Sequence, residues 1–77
     1  MSNVKAELKE GVMTVSVSGN VDSSNAPDIE KEIRDSLEGQ QFNELILDAE
    51  DLNYISSAGL RIILRLKKDY SEFKVTN

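Results

Sequence analysis

The spacing of apolar residues switches between two periods along the chain, and this switching restricts the possible folds more than any other feature. Residues 4–8 and 13–17 alternate apolar with polar side chains, which is typical of half-buried strands. Glu10-Gly11 lies between them and predicts a hairpin turn. The apolar run from Phe42 to Leu47 predicts a strand buried on both faces, and Phe73-Lys74-Val75 predicts a further strand.

Two segments of helical period separate these strands. The first carries an apolar stripe at three- and four-residue spacing, formed by Ala26, Ile29, Ile33 and Leu37. Ser24 or Asn25 is expected to cap its start, and Gly39 is expected to end it. The charged residues from Glu30 to Glu38 are interpreted as a solvated face.

The second helical segment runs from Leu60 to Lys68. Its apolar side is predicted to consist of Leu60, Ile63 and Leu64. The cations Arg61, Arg65 and Lys68 are predicted to lie on the opposite, solvated side. Cations towards the C-terminal end also suit the dipole of a helix.

The resulting order, β-β-α-β-α-β, predicts an α/β fold with a parallel crossover. A chain of 77 residues allows one domain, spanning 1–77. No helix follows the last strand, so the apolar residues Ile62, Leu66 and Val75 are expected to lack cover. We expect self-association, as a homodimer, through this uncovered C-terminal region.

Composition excludes several classes of function. The chain has no His and no Cys, which removes disulfides, imidazole catalysis and the commonest zinc ligands. Its formal charge of −5 argues against binding to nucleic acid or to an anionic membrane. The chain has no apolar stretch of membrane-spanning length and no apolar signal region at its N-terminus, so a cytoplasmic location is expected.

Two polar segments are candidates for chemistry. Asp48, Glu50 and Asp51 form an acidic cluster without the spacing of a calcium loop, so a solvated loop is preferred to a metal site and no cofactor is expected. Ser56-Ser57-Ala58-Gly59 stands at the start of the second helix, where a serine hydroxyl normally caps unpaired N–H groups. The alternative is that one hydroxyl accepts a phosphoryl group, whose charge a helix start tolerates.

Two blocks of the sequence resemble a known family. The segment from Leu45 to Leu60, which includes Ser56-Ser57-Ala58-Gly59, resembles the signature of STAS domains, specifically of bacterial anti-sigma factor antagonists. Gly19-Asn20-Val21-Asp22 followed by Asn25-Ala26 is similar to the loop before the family's first helix. The resemblance implies a STAS-like mixed sheet of about four strands, with helices mainly on one face. It also implies that the family's C-terminal helix is missing, so that the domain is shortened at its C-terminus.

The function implied by the resemblance is partner switching without enzymatic activity. The unphosphorylated antagonist binds an anti-sigma factor that is also a serine kinase, and this frees the sigma factor. Phosphorylation breaks the complex, and a phosphoserine phosphatase restores it. By position the acceptor is Ser57, with Ser56 as the less favoured alternative. The partner-binding residues implied are Asp22, Ser23, Ser24, Asn25, Ser56, Ser57, Ala58 and Gly59.

Two other classes of function compete with this one. A STAS-type adaptor or regulatory module of a transport or lipid-trafficking system would use the same fold but would need no acceptor hydroxyl. A small hydrolase or metal-dependent enzyme is disfavoured, because the sequence lacks His, Cys and any convergent set of polar residues.

Overall fold

A hairpin of two alternating segments begins the main sheet. In the computed structural model, which describes residues 3–77, β1 (Val4–Lys9) pairs antiparallel with β2 (Val12–Val17). Glu10 and Gly11 form the turn with φ values of 52° and 80°. Positive φ at both central residues is the geometry of a type I′ turn, whose twist matches that of the strands. The predicted hairpin is confirmed.

The later strands extend this hairpin into a mixed sheet. The remaining elements are β3 (Gly19–Val21), α1 (Ala26–Leu37), β4 (Glu44–Asp48), β5 (Leu52–Ile55), α2 (Ser57–Asp69) and β6 (Phe73–Thr76). β4 pairs parallel with both β2 and β6, which gives the strand order β1-β2-β4-β6. The predicted α/β fold, with its parallel crossover through α1 and its last strand, is confirmed. Neither helix of residues 3–77 has the length and apolar character needed to cross a membrane.

The core lies on one face of the four-stranded sheet. Its central strands contribute the buried side chains Met13, Val15, Val17, Leu45 and Leu47. Thr14, Ser16 and Ile46 alternate with them and remain partly exposed on the opposite face. The prediction that the strand containing Ile46 is buried on both faces is therefore wrong, because both helices pack against the same side of the sheet.

The edge strand β1 is less buried than its alternating pattern suggests. Val4 is buried beside Val17, but Ala6 and Leu8 are exposed. An edge strand has a neighbour on one side only, so the end of β1 near Leu8 lies at the margin of the helix layer.

The first helix buries the predicted stripe. Ala26, Ile29, Ile33 and Leu37 are all buried in α1. Gly39 follows with a φ of 77°, a conformation that glycine adopts without strain at the end of a helix. The predicted stripe and the predicted end of this helix are confirmed.

The second helix packs through a different face from the predicted one. Gly59, Ile62 and Leu66 are its buried residues, whereas Leu60 and Leu64 are 50% and 68% exposed. Of the predicted apolar side, Ile63 alone is partly buried against the core. Apolar residues surround much of this helix, so their spacing alone does not select one side. The expectation that Ile62 and Leu66 lack cover is also wrong, although Val75 is 46% exposed.

The assignment of this helix face is testable by stability. Ile62→Ala is expected to destabilise the fold by roughly 2–5 kcal/mol, because it leaves a cavity beneath α2. Leu64→Ala removes an exposed side chain and is expected to change stability by no more than about 0.5 kcal/mol. Urea unfolding of the two variants measures the difference. Equal destabilisation by both substitutions would contradict the observed packing.

An ion-pair network joins the two helices. Glu30 accepts from Nε of Arg34 at 3.1 Å and from Nε of Arg65 at 3.0 Å. Arg34 also pairs with Asp69 at 3.0 Å, which links α1 to the end of α2. The interpretation of Glu30 as part of a purely solvated face is therefore wrong, since only 17% of its side chain is exposed. The bond from Arg65 lowers the pKa of Glu30 below its ordinary value, with Arg34 adding to the effect.

The lowered pKa of Glu30 predicts a loss of stability in acid. A carboxyl group with a depressed pKa in the folded state stabilises the fold above its unfolded pKa, and the contribution disappears as the pH falls through the folded value. Glu30→Gln is therefore expected to flatten the decline in melting temperature between about pH 5 and pH 3. Glu7→Gln, at an exposed position on β1, is the control and should leave the slope unchanged. Identical slopes for the wild type and Glu30→Gln would refute the prediction.

Candidate functional site

A second, two-stranded sheet brings the two predicted site segments together. β3 and β5 pair in parallel, with Val21 opposite Ile55. The Ser56 N–H continues this pairing by donating to the Val21 carbonyl at 2.8 Å. Because parallel strands end on the same side, the loop after β3 and the start of α2 lie next to each other. The residue pattern predicts neither strand and indicates a loop at Gly19–Val21.

Ser56 is the structural cap of α2. It occupies the N-cap position with extended backbone angles, a φ of −86° and a ψ of 176°. Its hydroxyl oxygen accepts a hydrogen bond from the Gly59 N–H at 3.4 Å. A side chain used in this way satisfies one of the N–H groups that a helix start leaves unpaired. The capping interpretation therefore applies to Ser56.

Ser57, unlike Ser56, does not cap α2 with its side chain. It is the first residue of α2 and its side chain is exposed. Within residues 3–77 its hydroxyl makes no hydrogen bond. The first turn of α2 contains no acidic residue, so the positive end of the helix dipole at Ser57 is not offset by a carboxylate of that turn.

The loop before α1 is organised by the Asp22 carboxylate. Its Oδ1 accepts from the N–H groups of Ser24 and Asn25 and from the Ser24 hydroxyl at 2.6 Å. The Ser24 hydroxyl, followed by the two backbone donors, lowers the pKa of Asp22, so this carboxyl is ionised at neutral pH. Ser23 and Ser24 are exposed on the same loop, and Asp22 and Asn25 are partly exposed.

Asn25 stands at the N-cap position of α1 but does not cap the helix with its side chain. Its Oδ1 accepts from the Asp22 N–H at 2.8 Å, and its Nδ2 donates to the Asn20 carbonyl at 2.8 Å. The Ser24 side chain bonds to Asp22 instead of to the helix. The prediction that Ser24 or Asn25 caps α1 through its side chain is wrong, because both side chains are engaged within the loop.

Gly59 lets α2 pack closely against β3 and β5. The residue is buried, and a Cβ at this position would lie 2.5 Å from Cγ1 of Ile55 and 2.8 Å from Cγ1 of Val21. Only a residue without a side chain lets α2 lie this close to β3 and β5. Gly59 is buried in α2 and Ala58 is partly exposed beside Ser57, and the implied partner-binding role of Gly59 stays a prediction.

The acidic segment after β4 is held by hydrogen bonds around Asp48. Asn77 Nδ2 donates to Asp48 at 2.9 Å and the Glu50 N–H donates at 3.0 Å, which lowers the pKa of Asp48. Within residues 3–77 no three acidic side chains converge in a metal-binding arrangement. The apolar cavity beside Gly59 measures about 20 Å³, about the volume of a single water-sized probe.

Comparisons with known proteins agree with this architecture. The profile of the STAS domain matches residues 3–76, and the chain belongs to the STAS domain family. BtrV of Bordetella bronchiseptica, a protein assigned as an anti-sigma factor antagonist, is 36% identical over 59 residues, which cover 77% of this chain and 50% of BtrV. The chain thus spans about half the length of this curated relative.

Solved structures show the same fold. The crystal structure of an anti-sigma factor antagonist from Mycobacterium paratuberculosis superposes with a TM-score of 0.82 at 29% identity, covering 94% of this chain and 63% of that one. The anti-sigma factor antagonist SpoIIAA in its unphosphorylated form superposes with a TM-score of 0.72 at 15% identity, covering 96% and 72%. The second likeness concerns the fold alone. The predicted STAS-like architecture is confirmed.

The different positions of the two serines predict different effects on stability. Ser56→Ala removes the cap of α2 and is expected to destabilise the fold by about 0.5–1 kcal/mol. Ser57→Ala removes a hydroxyl without a partner and is expected to leave the unfolding midpoint unchanged within about 0.5 kcal/mol. Thermal and urea unfolding provide the comparison. A larger loss in Ser57→Ala than in Ser56→Ala would reverse the assignment of the cap.

Proposed function

We propose that this protein is an anti-sigma factor antagonist whose binding is switched by phosphorylation of Ser57. In the unphosphorylated state it binds an anti-sigma factor that is also a serine kinase, and the sigma factor is released. The kinase then phosphorylates Ser57 and the complex dissociates, until a phosphoserine phosphatase restores the hydroxyl. The protein acts by binding, without catalysis, in the cytoplasm.

One observation carries the choice of Ser57. Of the two adjacent serines, Ser56 uses its hydroxyl to cap α2, whereas the Ser57 hydroxyl is exposed and unbonded within residues 3–77. A kinase therefore reaches the Ser57 oxygen without breaking an interaction of the fold. Membership of the STAS family and the likeness to anti-sigma factor antagonists support the role itself.

The position of Ser57 also supports a switch that spares the fold. A phosphate adds a charge of about −1.5 to −2 at pH 7. At the first residue of a helix this charge is favoured by the dipole and by the N–H groups without helical partners. The same charge within a protein interface must be desolvated or paired, so it weakens a complex that was formed around a neutral hydroxyl.

The partner surface surrounds this serine. We assign to it the exposed or partly exposed residues that the parallel pair β3–β5 brings to one end of the molecule, namely Asp22, Ser23, Ser24, Asn25, Ser56, Ser57 and Ala58. Asp22 holds the loop through three hydrogen bonds, so it contributes to binding by fixing the shape of that loop.

Phosphorylation and binding are measured separately. Incubation with ATP and the cognate anti-sigma factor kinase is expected to add one phosphate, located at Ser57 by fragmentation mass spectrometry. Ser57→Ala is expected to incorporate none and to bind the kinase persistently. Ser57→Asp is expected to lower the affinity by tenfold or more, because its charge remains at the interface.

Ser71→Ala is the matched control, since it removes an exposed serine hydroxyl outside the assigned partner surface. It should still incorporate one phosphate at Ser57. Phosphate on Ser56 in the wild type, or equal affinities of Ser57→Ala and Ser57→Asp, would contradict the proposed switch. Absence of any phosphorylation together with binding to a transporter segment would favour the adaptor function instead.

A further inference from the structure

Within residues 3–77, one face of the four-stranded sheet is covered by neither helix. Both helices pack on the side of the core, and the side chains that alternate with the core residues along β1, β2, β4 and β6 point to the other side. We call this other side the open face. Its central residues Val12, Thr14 and Ile46 are partly exposed, so apolar area lies in the middle of the open face.

The two outer strands of the open face carry opposite charges at the same level. The pairing register places Glu7 of β1 and Lys74 of β6 at the two ends of one row across the sheet. In the next row towards the hairpin turn, Lys9 stands at one end and Glu72, the residue before β6, stands at the other. Phe73 is buried on the core side, so its neighbours Glu72 and Lys74 both point to the open face.

This charge pattern is self-complementary about one two-fold axis. In the aligned packing of two sheets, such an axis runs either along the strands or across them. An axis along the strands, between β2 and β4, brings β1 of each copy over β6 of the other, so that Glu7 faces Lys74 and Lys9 faces Glu72. An axis across the strands would instead place Lys5 over Lys9 and Glu7 over its own copy, which brings like charges together.

We propose that the open face is an interface between two copies of this chain, related by a two-fold axis parallel to the strands. The apolar area around Val12 and Ile46 is buried at its centre, and the two kinds of charge pair border it, each occurring twice by symmetry. The inference goes beyond the proposed function, because α2 lies on the other side of the sheet. Ser57 therefore stays exposed in both copies.

The size of the open face predicts a weak, reversible dimer. Four strands about 4.8 Å apart, with three rows of side chains about 6.7 Å apart, cover roughly 400 Å² on each copy. Stable interfaces bury about 1,200–2,000 Å² in total, so an interface of this size forms only at high protein concentration. The formal charge of −5 on each copy opposes association, but at physiological salt charges more than about 8 Å apart are largely screened.

The first test is a charge exchange read by sedimentation equilibrium of the 77-residue chain, at concentrations up to about 1 mM and at physiological salt. Glu7→Lys and Lys74→Glu each place like charges opposite each other and are expected to weaken the dimer at least tenfold. The double variant restores opposite charges and is expected to regain the wild-type affinity within about threefold. Within one copy the two residues stand about 14 Å apart on the outer strands, so this rescue occurs between copies.

The second test places a charge at the centre of the open face. Ile46→Lys is expected to abolish the dimer, because it puts a lysine into the apolar area of both copies. Val75→Lys is the matched control, since it adds the same charge on the helix side of the sheet at a position that is 46% exposed. The control is expected to keep the wild-type affinity. Circular dichroism checks that every variant is folded.

Several results would overturn the inference. These are a wild type that stays monomeric at every concentration, a double variant that dimerises no better than the two single variants, and an unaltered dimer in Ile46→Lys. Loss of the dimer in Val75→Lys alone would move the interface to the C-terminal region. A monomeric wild type whose affinity for the anti-sigma factor kinase is lost in Ile46→Lys would assign the open face to that protein instead.

These outcomes are separable from the proposed function. Phosphate incorporation at Ser57 is expected to be the same in the wild type and in Ile46→Lys, because the two positions lie on opposite sides of the sheet. If Ser57 is never phosphorylated but the charge exchange rescues the dimer, the interface stands and the phosphorylation switch does not.

Discussion

The parallel pairing of β3 with β5 is the constraint on which the candidate site depends. Val21 pairs with Ile55, and the Ser56 N–H extends the ladder to the Val21 carbonyl at 2.8 Å. The chain therefore leaves both strands at the same end and starts a helix from each. Gly59 completes the arrangement, because its missing side chain lets α2 rest directly on Val21 and Ile55. The backbone is therefore held in place before Ser57 by the hydrogen bond of Ser56 and after it by the close packing of Gly59.

In this arrangement one face of α2 is buried against the core and the opposite face is exposed. Ile62 and Leu66 anchor the helix in the core, and the pair of Arg65 with Glu30 ties it to α1. The opposite side carries the exposed serine and two leucines that the fold leaves uncovered. Modification of an exposed residue on a helix anchored in this way changes the surface without changing the packing beneath it. The STAS family fold and the likeness to anti-sigma factor antagonists give this surface its proposed use.

Local patterns predicted much of the architecture, but contacts between distant segments did not follow from them. Apolar residues alternate in β2 and form a stripe in α1. Both patterns depend only on the spacing of apolar residues within a single element, so the sequence alone predicted them. β3 has three residues and β5 has four, and neither is recognisable without its partner. The buried side of α2 is selected by the close approach at Gly59, whereas the spacing of Leu60 and Leu64 suggested the opposite choice. The resemblance of the serine segment predicted Ser57 as the acceptor by position, and the structure adds that Ser56 caps α2 while Ser57 is exposed.

The central claim is that a phosphate on Ser57 alters docking and leaves the fold intact. The most direct measurement uses homogeneous protein carrying phosphoserine at position 57 and compares it with the unmodified protein in two assays. The account predicts melting temperatures that agree within about 3 °C, since a change of 1 kcal/mol shifts a small domain by roughly 4–8 °C, and an affinity for the anti-sigma factor kinase that falls at least tenfold. Equal affinities, or weaker binding accompanied by unfolding of the phosphorylated domain, would contradict it.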